Sequence, residues 1–543
     1  MVGSEKDIAV IEAGEASQMS TRAHSYADSI PSKGDKDETD AKAEAEHGIE
    51  EAFGPARDEE EGFHQLGGHH LDPQDPDIVT WDGPDDPENP QNWPLKLKIW
   101  ISICTGVLTW VVSFGSSVFS ATTSVTAEEF GVSEEVMILS VTLYVLGFAC
   151  GPLVWGPLSE IYGRRTPLMC GMAGFVIFQI PVACATNVQT IFIGRFLSAC
   201  FGAAPLAIVA GMYVDFWGAV TRGVVTTGYS AAVMAGPTMG PVVGEYTVKN
   251  PNLGWRWTAW LVMIVTSFFL VIAIPTVPES LAPIILKQKA ARRRFETKNW
   301  ALHALIEEEP VTFKALMRKY GLKPLEMIVK EPILIIFTIY ISLVYGILYL
   351  IFFAFPFSYE MDRGMEVGEA SLPFISIFIG VLVAGCYMAW ETKVIFMPKY
   401  LRSDKPIPEE RLPPMMLGSI VLVIGMFWFA WTSFPSINPW PQIIAGAFIG
   451  AGIVMVFMPA VVYLVDVYLF DANSALAANA FIRAIVAAAF PLFATYMYQG
   501  LGVQWASSLL GFLCVALVPC PFVFYSYGST IRSWSKFAFD SSE

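Results

Sequence analysis

The sequence predicts an all-α membrane protein of two six-helix bundles related by a pseudo-twofold axis, preceded by a disordered N-terminal tail. Three observations carry that prediction. Of 543 residues, 54% are hydrophobic and only 15% charged, with a mean hydropathy of +0.49, whereas soluble domains carry about 25% charged residues. Twelve apolar segments recur from residue 98 onward, each long enough to cross roughly 30 Å of bilayer hydrocarbon. They form two sets of six around a long polar stretch, which in a membrane reads as an internal repeat whose halves meet at a central site.

The tail comes first. Residues 1–95 hold 24 Asp/Glu and 6 Lys/Arg, a net −18, while the remainder holds 26 and 28, a net +2, giving the overall −16. The acidity belongs to the tail and says nothing about partners of the main body. Residues 1–80 contain no apolar run and cannot offset their ordering entropy, so disorder is expected there. No apolar h-region follows Met1, so the first span should itself serve as the insertion signal.

The predicted spans are 98–119, 136–157, 167–185, 190–213, 223–245 and 255–275, then 332–354, 371–390, 414–433, 441–466, 474–498 and 504–527. The domains follow: a disordered acidic cytoplasmic tail (1–95), a first bundle (96–275), a cytoplasmic central loop (276–331), a second bundle (332–527) and a short cytoplasmic C-terminal tail (528–543). Orientation comes from the loop cations. Arg164, Arg165, Arg222, the run Lys287–Lys298, Lys393, Lys399, Arg402, Lys405, Arg532 and Lys536 share one side. The opposite loops carry Glu128, Glu129, Glu134, Glu135, Glu360, Asp362, Glu366 and Glu369. The positive-inside rule then makes both termini and the central loop cytoplasmic. The basic run of the central loop is expected to rest on the anionic inner leaflet.

Several function classes are excluded early. No basic domain or reader motif supports nucleic-acid binding. Five of six His lie in the tail, where His69 and His70 read as a solvated pair, and only His303 lies beyond it. The spans therefore offer no His base or His-ligated metal. No catalytic residue, metal or cofactor is expected, and the chain is read as not an enzyme. All eight Cys fall in apolar stretches, as small hydrophobes rather than a disulfide framework.

The residues that carry chemistry cluster at few places. GPLSEIYGRRTPL (156–168) sets Gly156, Glu160, Gly163, Arg164 and Arg165 in one short loop between spans 2 and 3. Asp215, at the cytoplasmic end of span 4, is level with it, so an Arg164–Asp215 ion pair is expected to latch one conformation. Asp466 repeats that placement at the end of span 10. Arg195 lies within span 4, where a central Arg costs about 2.5–3.5 kcal/mol on insertion scales. It either snorkels outward or serves the bundle interior, as part of transport and proton coupling.

Span 5 places Gly228, Ala232, Gly236, Gly240 and Gly244 at four-residue intervals, a stripe that lets a second helix approach to backbone contact. Pro237 and Pro241 interrupt its hydrogen bonding, which tight membrane packing tolerates. Glu245, at the outer end of this span, is the carboxylate nearest the membrane interior. In span 11, Arg483 needs a carboxylate, a carbonyl cage or water, as a structural anchor or as part of the transport cycle, and Asn479 stands on the approach. Tyr144, Tyr345 and Tyr349 are candidate cavity residues, the latter two sharing one helix face. An aromatic, weakly charged pocket suits large hydrophobic or amphipathic solutes, with cation–π help for cationic ones.

The 156–168 string resembles the loop motif of the major facilitator superfamily, with Glu160 where that family usually has Asp and Ile161 where it has a basic residue. Gly236-Pro237 in its glycine pattern resembles the superfamily's antiporter motif. WDGPDDPENPQNWP (81–94) and VPESLAPIILKQKAARRRFET (277–297) extend the resemblance from residue 81 to about 536. The chain resembles the twelve-span drug:proton antiporters of fungi. That resemblance implies the major facilitator fold, alternating access, and Arg195 at the position of an Arg found in proton-coupled members. It also implies export of hydrophobic or cationic drugs, toxins or secondary metabolites, driven by the proton gradient with no cofactor, by a monomer in the plasma or vacuolar membrane. A dedicated exporter of one metabolite or organic acid, a polyamine or nutrient transporter, and a non-transporting sensor remain as alternatives.

Overall fold

The computed structural model describes residues 77–308, 321–396, 398–399, 408–468, 472–533, 535 and 537. The tail through residue 76, with His69 and His70, and the cations Arg402, Lys405 and Lys536 lie outside the described residues.

Lipid offers the backbone no hydrogen-bond partners, so apolar segments satisfy their own N–H and C=O groups as helices. The first bundle runs α1 (Leu95–Ser117), α2 (Glu134–Tyr162), α3 (Arg165–Ala183), α4 (Val188–Phe216), α5 (Ala219–Lys249) and α6 (Arg256–Thr276). The second runs α7 (Pro332–Phe355), α8 (Phe374–Glu391), α9 (Pro413–Trp431) and α10 (Pro439–Tyr468). It ends with one continuous stretch broken at Gly502, whose φ of +71° separates α11 (472–501) from α12 (503–517, continued by Pro519–Arg532). Every predicted span falls on one of these helices. Ten described stretches are apolar and long enough to cross a membrane, and one of them, Ser474–Arg532, contains both α11 and α12. The Gly, Thr and Pro content of α5 keeps it out of that set.

The pseudo-twofold relation is visible in the packing. Within the first bundle α1 packs on α5, α2 on α4, and α3 on α4 and α6; within the second, α7 packs on α11, α8 on α10, and α9 on α10 and α12. The bundles meet through α2 against α11 and α5 against α8, which exchange under the same shift of six helices. Glycines set the spacing. On α5, a Cβ at Gly236 would stand 2.8 Å from Trp110 O, one at Gly240 would overlap Ser117 Oγ, and one at Gly244 would stand 2.5 Å from Val118 O. These three seat α5 on α1 as their spacing predicts. Gly228 departs from the expectation: nothing lies within 4 Å of its Cβ position, because the helices have diverged there.

Two expectations about the segments flanking the first bundle are corrected. Disorder was expected through residue 95, yet residues 77–94 form a strap. Asp86 accepts from the backbone N–H of Asp82 (2.9 Å) and Glu88 (2.8 Å), and Asn92 donates to Pro84 O (2.7 Å). The strap binds the linker helix Ala282–Thr297, with buried Lys289 reaching Asp86 at 2.6 Å and Asp82 at 2.9 Å, Arg292 pairing with Glu88, and Arg293 with Asp82. Val79, Ala290 and Ala304 close a small apolar cluster beneath. The second correction follows. Lys289, Arg292, Arg293 and Arg294, which pairs with Glu307, are engaged by carboxylates of the chain itself, so this basic run is an intramolecular docking face rather than a leaflet anchor.

Candidate functional site

Arg195 lies on the N-terminal half of α4, 2% exposed and turned into the bundle. Snorkelling is thereby excluded. Its guanidinium donates to Gly115 O (2.7 Å), Ser116 O (3.2 Å) and Ser140 O (3.4 Å), and sits over the rings of Tyr144 (4.1 Å) and Phe119 (5.0 Å). Gly115 and Ser116 belong to the last turn of α1, where carbonyls lack α-helical partners, before the chain tightens into a 3-10 turn at Val118–Thr122. The cage is built from carbonyls and rings, with no carboxylate.

From that cage a hydrogen-bonded path crosses between the halves. Tyr349 of α7 donates to Ser116 Oγ of α1 (3.0 Å), next to the carbonyl that holds Arg195. Tyr345 packs edge-on to Tyr349 at 5.2 Å, and the Arg483 guanidinium of α11 lies over Tyr345 (5.0 Å) and Phe457 (4.8 Å). Arg483 Nε is buried with no hydrogen-bond partner among the described residues. The expected cavity residues divide here. Tyr345 and Tyr349 face this junction. Tyr144 is fully buried beneath Arg195 and donates to Val112 O (2.9 Å), while Asn479 donates to Thr338 Oγ1 (3.0 Å), clamping α11 to α7. Those two are packing residues in this conformation rather than cavity lining.

At the end of the first bundle where α2 runs into α3, Arg164 Nε lies 3.5 Å from Asp215 Oδ2, and its Nη1 donates to Ser159 Oγ (3.0 Å). Sequence reading missed the organising group, Glu279, which follows α6. Its carboxylate accepts the backbone N–H of Arg164 (2.7 Å) and Arg165 (3.0 Å), while Ser280 Oγ donates to Asp215 (2.7 Å). Gly163 has φ +87°, and a Cβ there would overlap Glu279 Oε2, so the loop requires glycine. Arg165 donates to Ile274 O (2.7 Å). Gly156 and Glu160 sit half-buried in the last two turns of α2, with Gly156 O accepting from Ser159 Oγ (2.8 Å). In the second bundle Arg411 Nε reaches Asp466 Oδ2 at 3.1 Å. The Pro278-Glu279-Ser280 string was the available signal for Glu279, but nothing local ties it to a loop 115 residues away.

At the opposite end of the helices, Glu245 of α5 and Glu360, just beyond α7, line one pocket with Ser120, Pro241, Phe352 and Phe374. Its ≈ 20 Å³ admits a water but no organic solute. Lys249 pairs with Glu366 at 2.6 Å across the halves nearby, and that ion pair holds the Glu366 carboxyl below its ordinary value.

Two packed six-helix repeats that meet around a buried polar junction define an integral membrane transporter of small molecules. The chain belongs to the Major Facilitator Superfamily, whose family model matches residues 105–491. It is 51% identical over 462 residues to the citrinin biosynthesis cluster transporter mrr1 of Monascus ruber, covering 85% of this chain and 92% of that one. It is 48% identical over 466 residues to the ascochitine biosynthesis cluster transporter of Didymella fabae (86% and 90%), and 41% identical over 460 residues to the cercosporin transporter CTB4 of Cercospora nicotianae (84% and 89%). Among solved structures, the proton:xylose symporter XylE bound to a bromodeoxyglucose superposes with TM-score 0.58 at 16% identity, covering 80% of this chain and 96% of that one. At that identity the likeness concerns the fold alone.

Proposed function

We propose that this chain is a proton-driven antiporter that exports hydrophobic or amphipathic secondary metabolites and toxins by alternating access. It works as a monomer in the plasma membrane, with both termini cytoplasmic. The observation that carries the reading is the Arg195–Ser116–Tyr349 path, which joins the two halves at the membrane interior. When the halves part, Tyr349 gives up one hydrogen bond and Arg195 stays caged, so the junction is suited to opening and closing without exposing a charge. Glu245 and Glu360 face one another from opposite halves at the outer end. Protonated, two carboxyls tolerate closure; ionised, they repel. External protons would thus favour outer closure and resetting. The cytoplasmic pairs Arg164–Asp215 and Arg411–Asp466 would serve as latches for the opposite face. Relatives named for citrinin, ascochitine and cercosporin support a dedicated metabolite exporter as the narrower form of this reading.

The test is accumulation of a panel of dyes, antifungals and fungal metabolites in a pump-depleted fungal host expressing the chain. Lower accumulation that a protonophore abolishes, and that Arg195→Ala loses at matched expression, is the expected result. Export that persists with the protonophore would overturn proton coupling.

A further inference from the structure

The membrane interior of this protein is a place of uncompensated positive charge. Arg195 and Arg483 both lie there, and every Asp and Glu in the described spanning helices falls within four residues of a helix end. Arg195 has its carbonyl cage. Arg483 has rings on its faces and a buried Nε with no hydrogen-bond partner among the described residues. Burying such a donor is costly unless something else supplies the acceptor. A guanidinium presents a planar fork that matches a carboxylate in two parallel hydrogen bonds. Beside it are two rings in contact with one another, Tyr345 of α7 and Phe457 of α10, with centroids 6.1 Å apart and tilted by 31°, whose faces a planar body takes as the halves part. Tyr349, next on the same face of α7, adds an edge-on ring.

The geometry points to an anion subsite at Arg483, which takes the carboxylate or phenolate of a planar aromatic solute while Tyr345 and Phe457 pack against its body. This rests on the export reading above and narrows its substrate class to organic acids, against the cationic solutes that an aromatic pocket alone would suggest. A cation entering this junction would meet two guanidiniums and no carboxylate, so its rejection is built into the charge balance. Arg483 stands on α11, which packs against α2 of the other half, so the subsite lies where the halves part.

The test uses three probes that share one body and differ in charge: 2-naphthoate, its methyl ester, and 2-naphthylmethylammonium. Each is titrated against the full chain purified in detergent, with thermal stabilisation as the readout. Naphthoate should stabilise the protein at a concentration at least tenfold lower than the ester or the ammonium. Arg483→Gln should erase that preference and Arg483→Lys should keep part of it, both unfolding within a few degrees of the parent when no probe is present. Equal response to all three probes, a response to none, or an acid preference that survives Arg483→Gln would each overturn the assignment. The export reading is tested separately, by uptake driven by a pH gradient in inverted vesicles. Its failure with naphthoate selectivity intact would remove transport and leave the subsite.

Discussion

Arg164 and Arg411 occupy one position in the two halves of the molecule. Each stands just before the third helix of its bundle and reaches the aspartate at the C-terminal end of the fourth, Asp215 at 3.5 Å and Asp466 at 3.1 Å. The two pairs are separated by 51 and 55 residues in sequence, close to what a duplicated unit would give. The repeat has kept both charges of the pair and not merely the apolar pattern.

If these pairs latch the cytoplasmic face, neutralising one aspartate should shift the conformational balance without unfolding the bundle. Asp215→Asn is expected to reduce export about tenfold, the equivalent of about 1.4 kcal/mol, at unchanged surface expression. Transport assays normalised to surface protein check this. Loss of the folded protein instead would make the pair structural.

The α5 stripe predicts a sharp positional contrast. Gly240→Ala would drive a methyl group into Ser117 Oγ and the Val118 backbone, an overpacking cost of about 1–3 kcal/mol. Gly228→Ala meets open space and removes a helix-interior glycine, so it should be neutral or slightly stabilising. Thermal unfolding of the two variants in detergent separates them.

The strap carries a pH signature. The Asp86 carboxyl is held down to about 2 by the backbone N–H of Asp82, then by Lys289 and the N–H of Glu88. A depressed carboxyl contributes stability above its unfolded value near 4, and the contribution is lost as pH falls toward 2. The strap should therefore stay docked at every physiological pH. Asp86→Asn mimics the acid state at pH 7 and strands buried Lys289, with Asp82 its remaining partner, at a cost of about 3 kcal/mol. Limited proteolysis should then cut within residues 77–94, where the parent resists.

Glu245→Gln fixes the outer carboxyl in its uncharged form. Export should become insensitive to external pH while binding of solute to the purified protein is retained. Unchanged pH dependence would shift proton coupling to Glu360 or to the cytoplasmic carboxylates.

The twelve helices were legible because apolar length is a strong local signal and lipid leaves the backbone no alternative. The α5–α1 contact was legible from glycine spacing at 236, 240 and 244, but not at 228, since spacing does not say where two helices diverge. Arg195 was legible as an anomaly, whereas its carbonyl cage was not, because the carbonyls become available only where α1 tightens. Asp215 could be paired with Arg164 by level in the membrane. Glu279 and the strap were not legible: Asp86 finds Lys289 across 203 residues, and acidic, Pro-rich sequence looks solvated until its distant cations are in place.

The strap also decides what counts as a moving part. It runs directly into α1, and the linker helix follows directly from α6, so both of its ends belong to the first bundle. Through Ile78 and His303 the same grip continues to the pairing of His303 with Glu308. The strap and the linker helix thereby travel with the first bundle in any rocking of one bundle against the other.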